Sequence, residues 1–141
     1  MRPRTLAEAV HQHRAGRDFG MAIREFLDEF YLANTERQSL IDEEPALLGD
    51  PKLNAYLGAV GEHLARRWRL GHIPSWTLHP GRFLDEPWFP NAESPRLRMI
   101  LLMESPIAFR RRQIFTEIEP LRRASMPRDS RAIANEKRFE S

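Results

Sequence analysis

One segment near the middle of the chain, residues 50–71, predicts a long helix and constrains the fold more than any other feature. It opens with Asp50 at the cap position and Pro51 at the first helical position, where the missing N–H is not needed. Apolar residues follow at helical intervals, namely Leu53, Tyr56, Leu57, Val60, Leu64 and Trp68. Gly71 stands where such a helix is expected to end. A helix with one apolar stripe requires other elements to pack against that stripe.

Similar signals predict further helices before this segment. A capping box begins at Thr5, and Gly16 is placed to end the first helix. Asp18 is the predicted cap of a second helix, whose apolar stripe consists of Phe19, Ile23, Phe26, Leu27, Phe30 and Tyr31. A second capping box at Thr35 opens a short third helix, which Pro45 stops.

Residues 72–95 have a different character, because five prolines alternate with large aromatic residues. This density of proline prevents long helices, whereas the aromatic side chains argue against an unstructured linker. We predict an ordered loop with one short helical turn. Ser-Pro pairs at 94–95 and 105–106 then open two more helices. The apolar run 97–103 could also be a buried strand, although the flanking Ser-Pro pairs favour a helix.

These signals together predict an all-α fold, a compact bundle of about five to seven helices with a Pro/aromatic-rich ordered loop. Residues 1–124 are predicted to form a single domain, a size that can bury one core. Residues 125–141 offer little to bury and predict a flexible basic tail. No apolar run approaches the roughly 20 residues of a membrane span, and no signal core follows the basic N-terminus. We therefore expect a cytoplasmic protein without membrane association.

The chain shows none of the residue patterns that are typical of catalysis or metal binding. It has no cysteine, and its five histidines have spacings that suit no zinc site. Its seven glycines form no phosphate-binding loop. Paired carboxylates such as Asp28 and Glu29 fit solvated helix faces better than acid–base chemistry. We expect a protein that is not an enzyme and that uses no cofactor and no metal.

The small net charge of +2 conceals a strong asymmetry along the chain. Residues 18–62 carry ten acidic and three basic side chains, a net charge of −7, whereas residues 96–141 carry eleven basic and six acidic, a net charge of +5. Arg110, Arg111 and Arg112 are predicted to fan across the surface of a helix. They could contact an acidic protein surface, including that of a second copy in a homo-oligomer, or grip nucleic-acid phosphates. They could equally serve only solubility.

Three ordered motifs carry a family resemblance: F-L-D-E-F at 26–30, R-F-L-D-E-P-W-F-P at 82–90 and E-S-P-I-A-F-R-R-R at 104–112. With them the chain resembles a family of small bacterial proteins, mostly of unknown function, some encoded beside nucleotidyltransferase-type toxins. The resemblance implies a non-enzymatic antitoxin that neutralises a toxin by direct contact. This chain departs from the pattern in having no recognisable DNA-binding domain at its N-terminus, which puts operon autoregulation in doubt.

We therefore predict a protein-binding domain whose partner is another protein, with a cognate toxin as the candidate that the resemblance supplies. The predicted partner-binding residues are Asp85, Trp88, Phe89, Arg110, Arg111 and Arg112, because tryptophan and arginine are frequent at interaction hot spots. Core packing is the alternative role for Trp88 and Phe89. The alternative function is a nucleic-acid-associated protein that uses the arginine-rich C-terminal portion.

Overall fold

The computed structural model describes residues 1–92 and 94–127. Within these ranges the chain is helical and contains no β-strand, which confirms the predicted all-α class. The helices, in chain order, are α1 (Leu6–Arg14), α2 (Phe19–Leu32), α3 (Arg37–Asp42), α4 (Pro51–Arg67), α5 (Pro95–Glu104) and α6 (Ile107–Arg110). Most of the tail predicted at 125–141 lies outside the described residues.

Four helices begin at the predicted caps. In each, a hydroxyl or carboxylate oxygen accepts a backbone N–H of the first turn at 2.9–3.1 Å. These caps are Thr5, Asp18, Asp50 and Ser94. The cap at Ser94 opens α5, so that the run 97–103 is a helix rather than a strand. The third helix differs from its prediction, because it begins at Arg37 without a side-chain cap.

Helix α4 is the central element and is buried on nearly every side, instead of along one stripe. Every residue from Asn54 to Ala65 is buried except the half-buried Tyr56. Glycine permits close neighbours here: a Cβ atom added at Gly58 would lie 2.8 Å from the Cβ of Arg82. The helix also ends at Arg67, four residues before the predicted Gly71.

The proline-rich segment is an ordered strap over this central helix, as predicted. It contains two 3-10 turns, Ser75–Leu78 and Pro80–Arg82, where one short helical turn was expected. The indole N–H of Trp76 donates to the carbonyl of Ile41 at 2.9 Å and fixes the strap to α3. The ring of Trp76 occupies the space left by Gly61, where an added Cβ would lie 2.8 Å from it.

The main core joins α1, α2, α3, α4 and α6, and a small second cluster holds α5. That second cluster consists of Ala92, Leu101 and Phe115, with the half-buried Phe89 against it. Only one residue of α5, Leu101, is buried. Helix α5 is therefore attached to the bundle by a narrow contact along one side.

The chain remains packed against the bundle beyond the predicted domain boundary at residue 124. The hydroxyl of Tyr31 donates to the carbonyl of Leu121 at 2.7 Å. Arg123 donates twice to the carboxylate of Asp28, which also accepts the hydroxyl of Ser125 at 2.6 Å. The first residues assigned to the tail therefore contact α2, and the packed part extends at least to residue 126, which lies against the core.

Candidate functional site

Arg110, Arg111 and Arg112, which were predicted to lie together on the surface, have different environments in the structure. Helix α6 ends two residues before Arg112, and the chain then turns that side chain into the core, where it is fully buried. Its guanidinium donates to Glu62 Oε1 at 2.6 Å, to the carbonyl of Thr77 at 2.6 Å and to the carbonyl of Ala108 at 2.8 Å. The prediction that Arg112 lies on the partner-binding surface is therefore wrong.

Glu62 of α4 is the centre of a buried ion cluster. Its side chain is fully buried and contacts Arg112, Arg66 Nε at 2.7 Å and Arg111 Nη1 at 3.3 Å. Burial alone would raise the pKa of the carboxyl, but hydrogen bonds from Arg112 and Arg66 and the charges of Arg112 and Arg111 lower it overall. Glu62 therefore stays ionised, and its single charge offsets part of the positive charge of the three guanidinium groups around it.

A second buried arginine, Arg82, belongs to the same interior. Its guanidinium donates to the carbonyl of Pro45 at 2.6 Å and lies 5.2 Å from the centre of the Trp76 ring. Arg112 lies in the same way 4.5 Å from the centre of the Phe83 ring. Burial lowers the pKa of both guanidinium groups. The flat faces of these arginines pack like aromatic side chains, which a lysine could not do.

A buried imidazole–carboxylate pair lies on the other side of α4. His63 Nε2 is 3.7 Å from Glu119 Oε1, and Arg67 Nε donates to Glu119 Oε2 at 3.2 Å. Burial raises the pKa of Glu119, but the contacts with His63 and Arg67 outweigh it and lower the value overall. The His63 ring packs edge-on against Phe109 at 5.6 Å. Neither His63 nor Glu119 lines the two clefts that adjoin the strap, and the contact ties α4 to residue 119.

The aromatic residues of the predicted binding loop are mainly packing residues. Trp88 is half-buried against the main core, and its backbone pairs with Gln113 and Phe115 at 2.7 and 2.9 Å. Phe89 stacks on Phe115, with ring centres 5.1 Å apart. Asp85 is exposed. Of the loop residues predicted to bind a partner, the structure leaves Asp85 fully on the surface and half-buries Trp88 and Phe89.

The remaining two arginines of the block lie on the surface. Arg110 is exposed and donates to the carbonyls of Met103 and Ser105 at 3.2 and 2.8 Å. Arg111 is exposed on its outer side while it contacts Glu62. Arg110 therefore places a positive charge next to the C-terminal end of α5, whereas Arg111 lies over the Phe83 ring.

Helix α5 carries five exposed large apolar residues, Leu97, Met99, Ile100, Leu102 and Met103. At 100° per residue, Arg96, Met99 and Met103 lie opposite the buried Leu101, and Ile100 lies at the edge of that side. We call these four residues the outer α5 face. Met99 is 69 % exposed, Ile100 45 % and Met103 81 %. Leu102 on the same helix and Ile107 just after it are also exposed. Sequence reasoning identified the helix but not this exposed face.

Two open clefts adjoin α5 and the strap. One, of about 400 Å³, lies along the flank of α5 that carries Leu97, Ile100, Leu101 and Glu104. The other, of about 460 Å³, lies beside α2, and both are bordered by Tyr56 and Pro90. Burial raises the pKa of the Tyr56 hydroxyl to about 12, which keeps it neutral. The first cleft continues the apolar surface of α5 around its flank, whereas the second is lined by α2, α4, the strap and residues 120–123.

Among residues 1–92 and 94–127, no group of three or more histidine, cysteine or acidic side chains could hold a metal ion. Within the same ranges, no helix combines the length and apolar character required to cross a bilayer. Comparison of the chain with family models, with curated proteins and with solved structures gave no match. The fold and the surface together define an all-helical domain with a buried ion cluster and an exposed apolar helix face.

Proposed function

We propose that this protein is a non-enzymatic protein-binding domain and that the outer α5 face is its binding surface. The observation that carries this proposal is the exposure of Met99, Ile100 and Met103 on one side of a single helix. Contiguous exposed apolar surface is uncommon on monomeric proteins and marks contact sites. Methionine suits such a role because its flexible side chain adapts to a partner's shape.

Charged residues around this face support the same proposal. Arg96 lies on the face itself, while Arg110 borders its C-terminal end. An apolar centre with a polar edge is the usual composition of a protein interface. The family resemblance implies that the partner is a cognate toxin. In its more specific form, the proposal is that this protein is an antitoxin that binds the toxin directly.

The nucleic-acid alternative has weaker support from the charge distribution. Arg112 is fully buried and cannot reach a phosphate, and Arg66 and Arg111 share the Glu62 carboxylate with it. Phosphate binding depends on uncompensated cationic groups that displace counterions. For this reason we favour a protein partner over a phosphate backbone.

The experiment is a pull-down from the native host with the tagged full chain and two variants. Met103→Glu places a charge on the outer α5 face, whereas Met21→Glu makes the same change on α2 at a side chain that is 51 % exposed. Proteins retained by wild type are identified and re-measured as purified proteins by calorimetry. A buried methionine contributes about 1.5–3 kcal/mol, so we expect Met103→Glu to weaken binding by roughly tenfold or more.

The proposal fails if wild-type bait retains no protein, including an untagged copy of this chain. It also fails if every retained protein binds Met103→Glu as tightly as it binds wild type and the Met21→Glu control.

A further inference from the structure

We infer that the cleft beside α2 binds a small apolar molecule that carries one carboxylate group, and that Arg24 pairs with this carboxylate. We call this site the α2 cleft. Its floor is buried and its walls are half-buried, and the apolar residues that form them are Ile23, Leu27 and Leu121 below and Phe19, Leu53 and Trp88 at the sides. None of its described lining residues belongs to α5, so the site is separate from the outer α5 face and goes beyond the proposed function.

The size and the walls of the α2 cleft suit a small apolar ligand. Its volume is about 460 Å³, within the range of about 300–1,000 Å³ that is typical of small-molecule sites. The rings of Phe19 and Tyr56 pack edge-on, with centres 6.1 Å apart. Trp88 is fixed by backbone hydrogen bonds with Gln113 and Phe115. These aromatic rings form a wall that exists before a ligand binds, which reduces the cost of binding.

Arginine side chains border the α2 cleft, and among its described lining residues there is no carboxylate. The three arginines are Arg24, Arg122 and Arg123. Arg123 is already paired with Asp28, which it contacts at 2.9 Å. Arg24 is exposed, and within residues 1–92 and 94–127 it forms neither an ion pair nor a hydrogen bond. Its guanidinium is therefore the group that is available to a ligand.

The guanidinium of Arg24 lies at the edge of the cleft, because it folds back over Gly20. A Cβ atom added at Gly20, which also lines the cleft, would lie 3.1 Å from Arg24 Nη1. Asp18 Oδ2 would lie 3.4 Å from the same added atom. That oxygen accepts the backbone N–H of Met21 at 2.9 Å and, in the described part of the chain, forms no ion pair with Arg24. Lys52, over the Trp88 ring at 5.5 Å, adds a positive charge at the opposite wall.

The hydroxyl of Tyr56 supplies a second donor to the same carboxylate. This hydroxyl has no hydrogen-bond partner among the described residues, and Tyr56 lines the cleft. Burial raises the pKa of Tyr56 to about 12, and the nearby charge of Arg24 acts against that rise. The hydroxyl is therefore neutral and able to donate, and it lies within the field of the guanidinium.

The charge around the cleft favours a ligand with one negative charge. A single available guanidinium matches a carboxylate, whereas a phosphate monoester carries about 1.5–2 charges at neutral pH. The neighbouring cleft along α5 has the opposite character: Glu104 and Glu117 line it, and no basic side chain does so among the described residues. An anionic ligand is thus attracted to one cleft and repelled by the other.

The test is an NMR titration of the isotopically labelled full chain with naphthaleneacetate, its neutral amide and the cationic naphthylmethylammonium. We expect naphthaleneacetate to saturate with a dissociation constant of about 1 mM or tighter. The shifted amides should lie along α2 and the first two turns of α4. The amide should bind about tenfold more weakly, because it forms no charge-assisted pair with Arg24, and the cation more weakly still.

Variants assign the contact to named groups. Arg24→Gln should weaken naphthaleneacetate by about tenfold and leave the amide unchanged. Arg14→Gln is the matched control, since Arg14 is also an exposed helical arginine but lines neither cleft. Tyr56→Phe should weaken the acid by roughly three- to tenfold through loss of the hydroxyl. Circular dichroism of each variant is recorded first, and Arg24 and Arg14 are exposed, so both of their variants are expected to fold.

Four results would overturn the inference: no saturable shifts, shifts confined to the cleft along α5, equal affinity for the acid and the amide, or an Arg24→Gln variant that binds the acid as tightly as wild type does. None of them bears on the proposed function, which is tested on a different surface. Met103→Glu should bind naphthaleneacetate like the wild type, because Met103 lines neither cleft. A loss of binding in that variant would also contradict the assignment to the α2 cleft.

Discussion

Replacing Glu62 by glutamine is expected to destabilise the fold by about 3–5 kcal/mol, the usual cost of removing one partner from a buried ion pair. Glutamine keeps the shape of the side chain but removes the charge that three guanidinium groups contact. Arg112 is fully buried, so it would retain its charge with only neutral acceptors, namely the carbonyl oxygens of Thr77 and Ala108 and the amide oxygen of the glutamine. The cost arises from that uncompensated charge.

The assay is urea unfolding followed by tryptophan fluorescence and circular dichroism. With a slope of about 2 kcal/mol per molar urea, the midpoint should fall by roughly 2 M. Arg66→Gln is the matched control, because its exposed side chain donates to the same carboxylate, and it should cost less than about 1 kcal/mol. If Glu62→Gln costs no more than the control, the argument that the buried charge must be compensated is refuted.

The stabilisation that Glu62 provides should depend on pH, and the direction follows from the difference between its folded and unfolded pKa values. The pKa of Glu62 is lowered in the folded state from the 4.5 expected of the unfolded chain. Glu62 therefore contributes stability above the unfolded pKa, and that contribution is lost as the pH falls through the lower, folded pKa. The difference in unfolding free energy between wild type and Glu62→Gln should shrink as the pH falls below 4.5. A difference that stays constant into this acidic range would contradict the assigned direction.

Two further predictions concern packing. Gly58→Ala is expected to cost about 1–3 kcal/mol in thermal unfolding, because its Cβ would lie 2.8 Å from that of Arg82. Gly49→Ala, with no atom within 4 Å, should change stability by less than about 0.5 kcal/mol, and equal effects would contradict the close approach. Leu101→Ala should speed amide hydrogen exchange within α5 more than elsewhere, because Leu101 is the buried residue of that helix. The exposed Leu102→Ala is its control, and exchange that rises equally in both variants would argue against a single anchor.

The helices could be predicted where their signals are local. Asp18 and Asp50 cap α2 and α4 as expected, because capping depends on residues within one turn. The end of α4 was missed because it has no glycine signal. Arg69 adopts a left-handed φ of 52° there, a conformation that usually favours glycine. Local backbone hydrogen bonds close this turn, from Arg69 N–H to the carbonyl of Arg66 at 3.3 Å and from Leu70 N–H to the carbonyl of Ala65 at 2.9 Å.

The burial of Arg112 could not be predicted from helical periodicity. A helical projection assumes that the helix continues, but α6 is a single turn and the backbone reverses at Gln113, with φ of 66°. Its partner Glu62 lies 50 residues earlier, so only the tertiary fold brings the two together. One local signal was present: Gly58 lies one turn before Glu62, and a glycine inside a helix often marks close approach of another group.

The outer α5 face could not be separated from a core face by sequence alone, because α5 is apolar on both sides. Leu101 occupies the inner side, and Met99 and Met103 occupy the outer side, so that a period of 3.6 residues gives no single stripe. Position in the fold resolves this ambiguity, since the second cluster takes only Leu101 from the helix. The fold thus uses one side of α5 and leaves the other apolar side in contact with water. Such a side adds nothing to folding and reduces solubility, and a contact that covers it accounts for its composition.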